Sequence, residues 1–231
     1  VIDSPYEMPR FHMMGDRSLI VEVGAAIGVR VNRAVHELCL LLNDATLPGV
    51  LDMVPCNRSL MVVFDPGHTG PSRIQEQVLN AWRSRDTVAL PEPRTMKIPV
   101  MYGGPFGPDL EAVAAIHQST PERIVAAHTG IVFQVFMIGF MPGFPYMGEL
   151  PENLSTPRRE TPRTRVPRGS VGIAQRQTGI YPAESPGGWQ IIGRTPLVLF
   201  NAANDPPALL APGDRVQFYA VAAPEADPWP A

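Results

Sequence analysis

Three runs in this chain set residues able to do chemistry among residues able to fix a backbone. From Gly139 to Gly148, Phe140, Phe144 and Tyr146 stand among three glycines and two prolines. Such a run can wall a pocket with rigid aromatics and present backbone N–H groups to an oxygen. From Thr156 to Gly169, Arg158, Arg159, Arg163, Arg165 and Arg168 are pinned by a repeated Thr-Pro-Arg, with Glu160 as the local acid and Arg176 following. Guanidinium is the preferred two-pronged partner of carboxylate and phosphate. Glu160 cannot neutralise them all, so a compensating anion is expected: a substrate carboxylate, a phosphate or an acidic partner surface. From Gln177 to Pro196, the polar groups Gln177, Tyr181, Glu184, Ser185, Gln190 and Arg194 alternate with turn residues around Trp189. His128 ends a short helix, whose C-terminal dipole is expected to favour the protonated ring. Plainer readings exist for each: a packed hydrophobic turn, a solvated loop with counter-charges elsewhere in the fold, an ordinary hairpin with a packed Trp189, a structural histidine.

Missing motifs narrow the chemistry. There is no Gly-x4-Gly-Lys-Ser/Thr loop and no Gly-x-Gly-x-x-Gly. The five histidines are scattered and no Cys-x-x-Cys occurs, so no metal site is expected. The run Gly169-Ser170-Val171-Gly172 is not a nucleophile elbow, because its serine directly follows the first glycine. The sole lysine, Lys97, stands away from any Gly/Ser-rich stretch, which argues against a serine amidase with a lysine base. A net charge of −3 argues against non-specific nucleic-acid binding. No apolar run approaches the roughly 20 residues of a membrane-spanning helix. The first residues show no secretory pattern. Cys39 and Cys56 are too few for a disulfide framework and are expected to be buried free thiols in a reducing cytoplasm.

The elements that must position these groups fall into two parts. Residues 8–85 read as a small α+β domain with the order β-α-β-β-α. Strands are expected at 18–23, 51–55 and 59–64. Val31, Ala34, Val35, Leu38, Leu41 and Leu42 mark a helix over 29–44, and Ile74, Val78 and Trp82 mark a second. The order suggests a ferredoxin-like layer of helices on an antiparallel sheet. Residues 86–96, with two prolines and no periodicity, read as a linker. Residues 97–221 read as a β-rich domain. Strands are expected at 98–102, 132–141, 169–174, 189–192, 197–200 and 215–221, with helices at 109–118 and from Ser119, taken as N-cap of a capping box with Glu122, to Gly130. Short strands with many Gly and Pro turns favour a barrel or sandwich. Residues 222–231 read as a frayed tail.

Taken together, these runs resemble the family that contains the B subunit of bacterial 5-oxoprolinase, the sporulation-kinase inhibitor KipI and proteins labelled allophanate hydrolase subunit 1. The similar stretches are Gly15 to Glu22, Pro55 to Leu60 with Phe64 to Pro66, Pro99 to Asp109, nearly everything from Gly139 to Pro196, and Pro212 to Arg215. The resemblance implies a cyclophilin-like C-terminal barrel behind the ferredoxin-like domain. It implies a larger carboxyltransferase-like partner subunit of the same operon, and an ATP-dependent opening of 5-oxoproline to glutamate. ATP would be held with or by partner chains, and neither metal nor biotin is expected in this one. On that chemistry, Arg163 or Arg165 would take the substrate carboxylate, while Arg158, at the outer end of its loop, would be nearly silent. Phe140, Phe144 and Tyr146 would wall the lactam ring, with Gln177, Tyr181 and Arg194 as further contacts. His128 would move a proton if it faces the pocket. Two rivals stand beside this: a KipI-type binding protein that inhibits a sensor histidine kinase without turnover, and an allophanate hydrolase subunit 1 or urea carboxylase-like component.

Overall fold

The computed structural model of the chain describes residues 4–222. The chain divides between Glu92 and Pro93 into two compact units. The N-terminal unit contains β1 (Arg10–Met13), β2 (Ser18–Glu22), α1 (Val29–Asp44), β3 (Val50–Pro55), β4 (Ser59–Phe64) and α2 (Pro71–Ser84). Its sheet runs β1-β2-β4-β3 with every pairing antiparallel. The expected β-α-β-β-α succession is β2-α1-β3-β4-α2, and β1 is an additional edge strand beside β2. Its four residues show no alternation of burial, so their pattern carries no strand signal. In β2 and β4 period-two alternation does set the inner face: Leu19, Val21, Leu60, Val62 and Phe64 are buried. Helical spacing turns Val31, Ala34, Val35, Leu38 and Leu42 of α1, and Ile74, Val78 and Trp82 of α2, onto that face. Cys39 and Cys56 are free thiols, half-buried rather than fully buried, and burial pushes both upward in pKa.

The C-terminal unit contains β5 (Thr95–Tyr102), α3 (Leu110–Ile116), α4 (Pro121–Thr129), β6 (Val132–Ile138), β7 (Pro145–Gly148), β8 (Arg163–Val166), β9 (Ser170–Ala174), β10 (Gln177–Ile180), β11 (Ser185–Gly187), β12 (Gln190–Arg194) and β13 (Arg215–Ala220). Seven strands close a barrel in the order β10-β7-β6-β13-β5-β12-β9, and β11 pairs with β8 as a separate ribbon. In the barrel β5 and β13 run parallel, with Ile98 opposite Phe218. Inward positions Ile98, Val100, Phe133, Val135, Val171, Ile173, Val216 and Phe218 fill the core, joined by Leu110 and Val113 of α3 and Ile124 of α4.

Three expectations are corrected. The cap of α4 is Thr120, whose hydroxyl accepts from the Arg123 N–H; Ser119 lies one residue early because Pro121 takes the first helical position. Residues 197–200 form no strand beyond a single bridge from Phe200 to Ala208, since Pro196 ahead of them and Pro206-Pro207 behind interrupt pairing. The strand expected through Met141 ends at Ile138, and the Gly139–Gly148 run contributes β7 instead. The tail expected from 222 onward lies, apart from Ala222, outside the described residues.

Candidate functional site

On β7 the inward side chain is Met147, so Tyr146 projects outward. It lies opposite Gly179 of β10. Gly179 leaves room for the Phe144 ring: a Cβ there would stand 3.0 Å from the ring and 2.9 Å from the Pro145 carbonyl oxygen. Gly187 similarly admits the Tyr181 hydroxyl, which would be 2.4 Å from a Cβ at that position. Around Phe144 the ring centroids of Tyr146, Tyr181 and Trp189 lie at 4.8, 5.1 and 5.6 Å, the last two edge-on. Such geometry suits the aromatic quadrupole. These rings pack on one another rather than around a space. Phe144, expected to wall the lactam ring, and Tyr181, expected as a further contact, are each only 2% exposed. The residues that reach solvent are Tyr146, half-buried, and Phe140, 63% exposed.

Phe140 sits at φ +65°, in the left-handed region. The tight turn that holds it is closed by the Met141 N–H donating to the Gly139 carbonyl at 2.7 Å. Its ring meets Phe144 edge-on at 5.7 Å. A β-unbranched but bulky residue in that conformation is uncommon and marks a constrained position.

The arginine run finds its anions within the chain. Arg163 donates Nη1 to Oδ2 and Nη2 to Oδ1 of Asp109, and Arg159 Nη1 adds a bond to Oδ1 at 2.9 Å. The Ile191 N–H completes the set at 2.6 Å to Oδ2. Arg165 forks onto Glu184, both bonds at 2.9 Å. Arg176 donates to Glu149 and to the Leu150 carbonyl. The two guanidiniums assigned to a substrate carboxylate, Arg163 and Arg165, are therefore already occupied. The sequence marks Asp109 only as a helix start. It does precede α3, but its carboxylate caps no helical N–H and turns to the arginines instead. The one signal for it is the unmet demand of the arginine run for an acid.

Arg158 is the contrasting case: exposed, and without an ion pair or hydrogen bond among the described residues. Its charge acts on two hydroxyls. Burial pushes Tyr146 upward and the Arg158 charge opposes it. Burial likewise pushes Tyr181 upward, opposed by the Trp189 backbone hydrogen bond and by Arg158 and Arg163.

His128 faces the barrel interior, not this surface. It is 1% exposed and stacks on Phe218 at 4.6 Å. The Thr178 hydroxyl donates to the Gly172 carbonyl, so it accepts from His128 Nε2–H at 2.9 Å, and Nδ1 accepts from the Tyr102 hydroxyl at 2.7 Å. Burial pulls its pKa down to about 3. The expected dipole-favoured protonation is overturned, because desolvation inside the barrel outweighs the helix terminus. The condition for a proton shuttle, a ring facing a pocket, is not met.

Gln177 lies on β10, whose next residue Thr178 points inward, which places Gln177 on the outer face two positions from Gly179. Arg194 lies at the far end of β12 from Trp189 and donates Nε to the Arg168 carbonyl at 2.8 Å. Two hollows occur elsewhere. One of about 220 Å³ includes Leu47, Arg73 and Gln77, and an open one of about 540 Å³ includes Lys97, Thr129, Gln217 and Tyr219. No group of three or more His, Cys, Asp or Glu among the described residues could hold a metal ion. Among the described residues no helix is long and apolar enough to cross a membrane.

Residues 9–210 match the family model for the carboxyltransferase domain, subdomain C and D. The chain is 37% identical over 226 residues to the 5-oxoprolinase B subunit of Bacillus subtilis, covering 92% of each chain. It is 40% identical over 210 residues to the 5-oxoprolinase B subunit of Escherichia coli O157:H7, covering 90% of this chain and 94% of that one. The crystal structure of TTHA0988 superimposes with a TM-score of 0.78 at 34% identity, over 93% of this chain but only 41% of that one. Family model, relatives and fold agree, and the chain belongs to the carboxyltransferase subdomain C and D family.

Proposed function

We propose that this chain acts as the B subunit of an ATP-dependent 5-oxoprolinase, working in the cytoplasm with a larger carboxyltransferase-like subunit of the same operon. The observation that carries the reading is the likeness to 5-oxoprolinase B subunits at 37% and 40% identity over nearly the whole of both chains. The chemistry agrees with a divided enzyme. A lactam carbonyl is a poor electrophile, and transfer of the ATP γ-phosphoryl group to its oxygen makes it a good one. Water then adds at that carbon, the ring C–N bond breaks, and phosphate leaves, giving glutamate, ADP and phosphate. The chain has no P-loop, so the nucleotide is held with or by partner chains. Its own contribution is the Phe140, Tyr146 and Arg158 surface.

The test is co-expression with the adjacent larger subunit, followed by assay of the purified complex with ATP and 5-oxoproline, urea or allophanate. ATP-dependent glutamate release from 5-oxoproline by the complex, and none by this chain alone, is the expected result. Turnover of urea or allophanate instead would move the protein to urea metabolism. Absence of any turnover, with inhibition of a sensor histidine kinase, would make it a binding protein.

A further inference from the structure

The surface around Tyr146 combines three features that the core of the barrel does not explain. Phe140 exposes most of an aromatic ring from a left-handed turn. Tyr146 lies half-buried beside the same Phe144 ring. Arg158 is held beside this cluster by its neighbours. The Pro157 carbonyl accepts from Gln190 at 3.2 Å and the Arg159 N–H donates to the Gly188 carbonyl at 2.8 Å, on either side of Trp189, whose ring lies 5.7 Å from that of Tyr146. Arg158 itself has no ion pair among the described residues. The neighbourhood is also positive beyond Arg158. Arg159 and Arg163 share the single carboxylate of Asp109, which leaves one of their charges in excess. Glu160 is exposed nearby and forms no ion pair with any described residue. The aromatics behind it are close-packed, so the surface presents a ring and a cation.

We propose that Phe140, Tyr146 and Arg158 form a docking surface for the larger subunit, and that the docking segment is acidic and carries an apolar side chain. The apolar side chain covers Phe140, and a carboxylate meets Arg158. Charge complementarity selects the acid: an excess of guanidinium over carboxylate at the surface favours an anionic partner and disfavours a basic one. Aromatic and arginine side chains are also the types that carry most binding energy at interfaces. A constrained turn that already holds Phe140 outward removes part of the ordering cost of association. The proposal rests on the reading of this chain as a subunit of a larger assembly.

The test uses the full-length chain and the co-expressed larger subunit, with affinity measured by titration of one purified subunit into the other. Phe140→Ala and Arg158→Glu are each expected to weaken association at least tenfold. Arg165→Glu, at an exposed arginine of the adjoining strand β8 already paired with Glu184, is expected to change it less than twofold. Melting temperatures of the isolated variants should match the wild-type chain, since both side chains are exposed. Affinity within twofold of wild type for Phe140→Ala or Arg158→Glu overturns the proposal. So does equal weakening by Arg165→Glu, which would mean unspecific electrostatics. An unchanged subunit affinity with a raised KM for 5-oxoproline would assign the surface to substrate and likewise overturn it. A complex that forms and responds as described, yet does not turn over 5-oxoproline, would refute the enzymatic reading while leaving the docking surface standing.

Discussion

Arg163 grips Asp109 through a two-pronged bond, Nη1 to Oδ2 at 2.8 Å and Nη2 to Oδ1 at 2.7 Å. The pair spans 54 residues of sequence and ties β8 to the start of α3, while the Ile191 N–H brings in β12. The Asp109 side chain is 4% exposed, so its charge is tolerable only because every oxygen is met. This is a fixed structural joint, and it sets where the arginine run lies against the aromatic cluster.

Asp109→Ala should therefore be severely destabilising. It leaves Arg159 and Arg163 facing each other without their carboxylate, and breaking a buried ion pair costs about 3–5 kcal/mol. Arg163→Lys keeps the charge but removes the fork, with an expected loss of about 1.5 kcal/mol, the low end for a hydrogen bond to a charged group. Denaturant midpoints at unchanged m-value measure both. If Arg163→Lys is as stable as wild type, the two-pronged geometry is not what holds the joint.

The same bond geometry at Arg165 predicts a different outcome. Its fork onto Glu184 stands in solvent, with side-chain exposures of 77% and 50%. Water and salt screen such a pair, so it contributes little to stability. Arg165→Ala should shift the denaturant midpoint far less than Arg163→Lys does, and the difference should vanish at about 1 M salt. A shift as large as that of Arg163→Lys would mean that the ribbon of β8 and β11 depends on this pair.

His128 sets a pH dependence whose sign follows from its depressed pKa. The unfolded ring titrates near 6.5 and the folded ring near 3. Above about 6.5 both states are neutral and the histidine adds no slope. As pH falls below that value the unfolded chain takes up a proton that the native chain refuses, so stability drops, by about 1.4 kcal/mol per pH unit, until about pH 3. Carboxylates titrate in the same window, so the quantity to measure is the difference between wild type and His128→Asn. The advantage of wild type should shrink steadily from about pH 6.5 to about pH 4. A difference that stays constant over that range would show that the folded ring protonates freely.

The order of elements was legible where a period was legible. In α1, Val31, Ala34, Val35, Leu38 and Leu42 recur at helical spacing, and the helix spans 29–44 as that spacing predicts. In β4 alternation from Ser59 to Phe64 fixes the strand and its inner face. β1 was invisible because its residues are mostly exposed and pair at an edge, where burial writes no pattern. The aromatic, arginine and histidine positions stand out by type, but their roles depend on contacts far apart in sequence. Asp109 reaches Arg163 and Ile191 across 54 and 82 residues, and no local pattern announces that. Phe140 and Phe144 are four residues apart in one run, yet one is exposed and the other sealed, because Gly179 on another strand makes room for only one ring.

That division of labour gives the last prediction. Phe140→Ala removes a ring from solvent and should change stability by less than about 0.5 kcal/mol. Phe144→Ala empties the centre of the cluster formed with Tyr146, Tyr181 and Trp189 and should cost about 3–5 kcal/mol. Gly179→Ala pushes a methyl group to 3.0 Å from the Phe144 ring and should cost about 1–3 kcal/mol by overpacking. Combining Gly179→Ala with Phe144→Leu tests the fit directly. The smaller side chain vacates space that the new methyl can fill, so the double variant should be more stable than the two single losses added together, by about 0.5 kcal/mol or more. The gain is partial, because the methyl also lies 2.9 Å from the Pro145 carbonyl oxygen, which does not move with the side chain. Strictly additive losses in this cycle would mean that Gly179 is there for the backbone of β10 and not for the Phe144 ring.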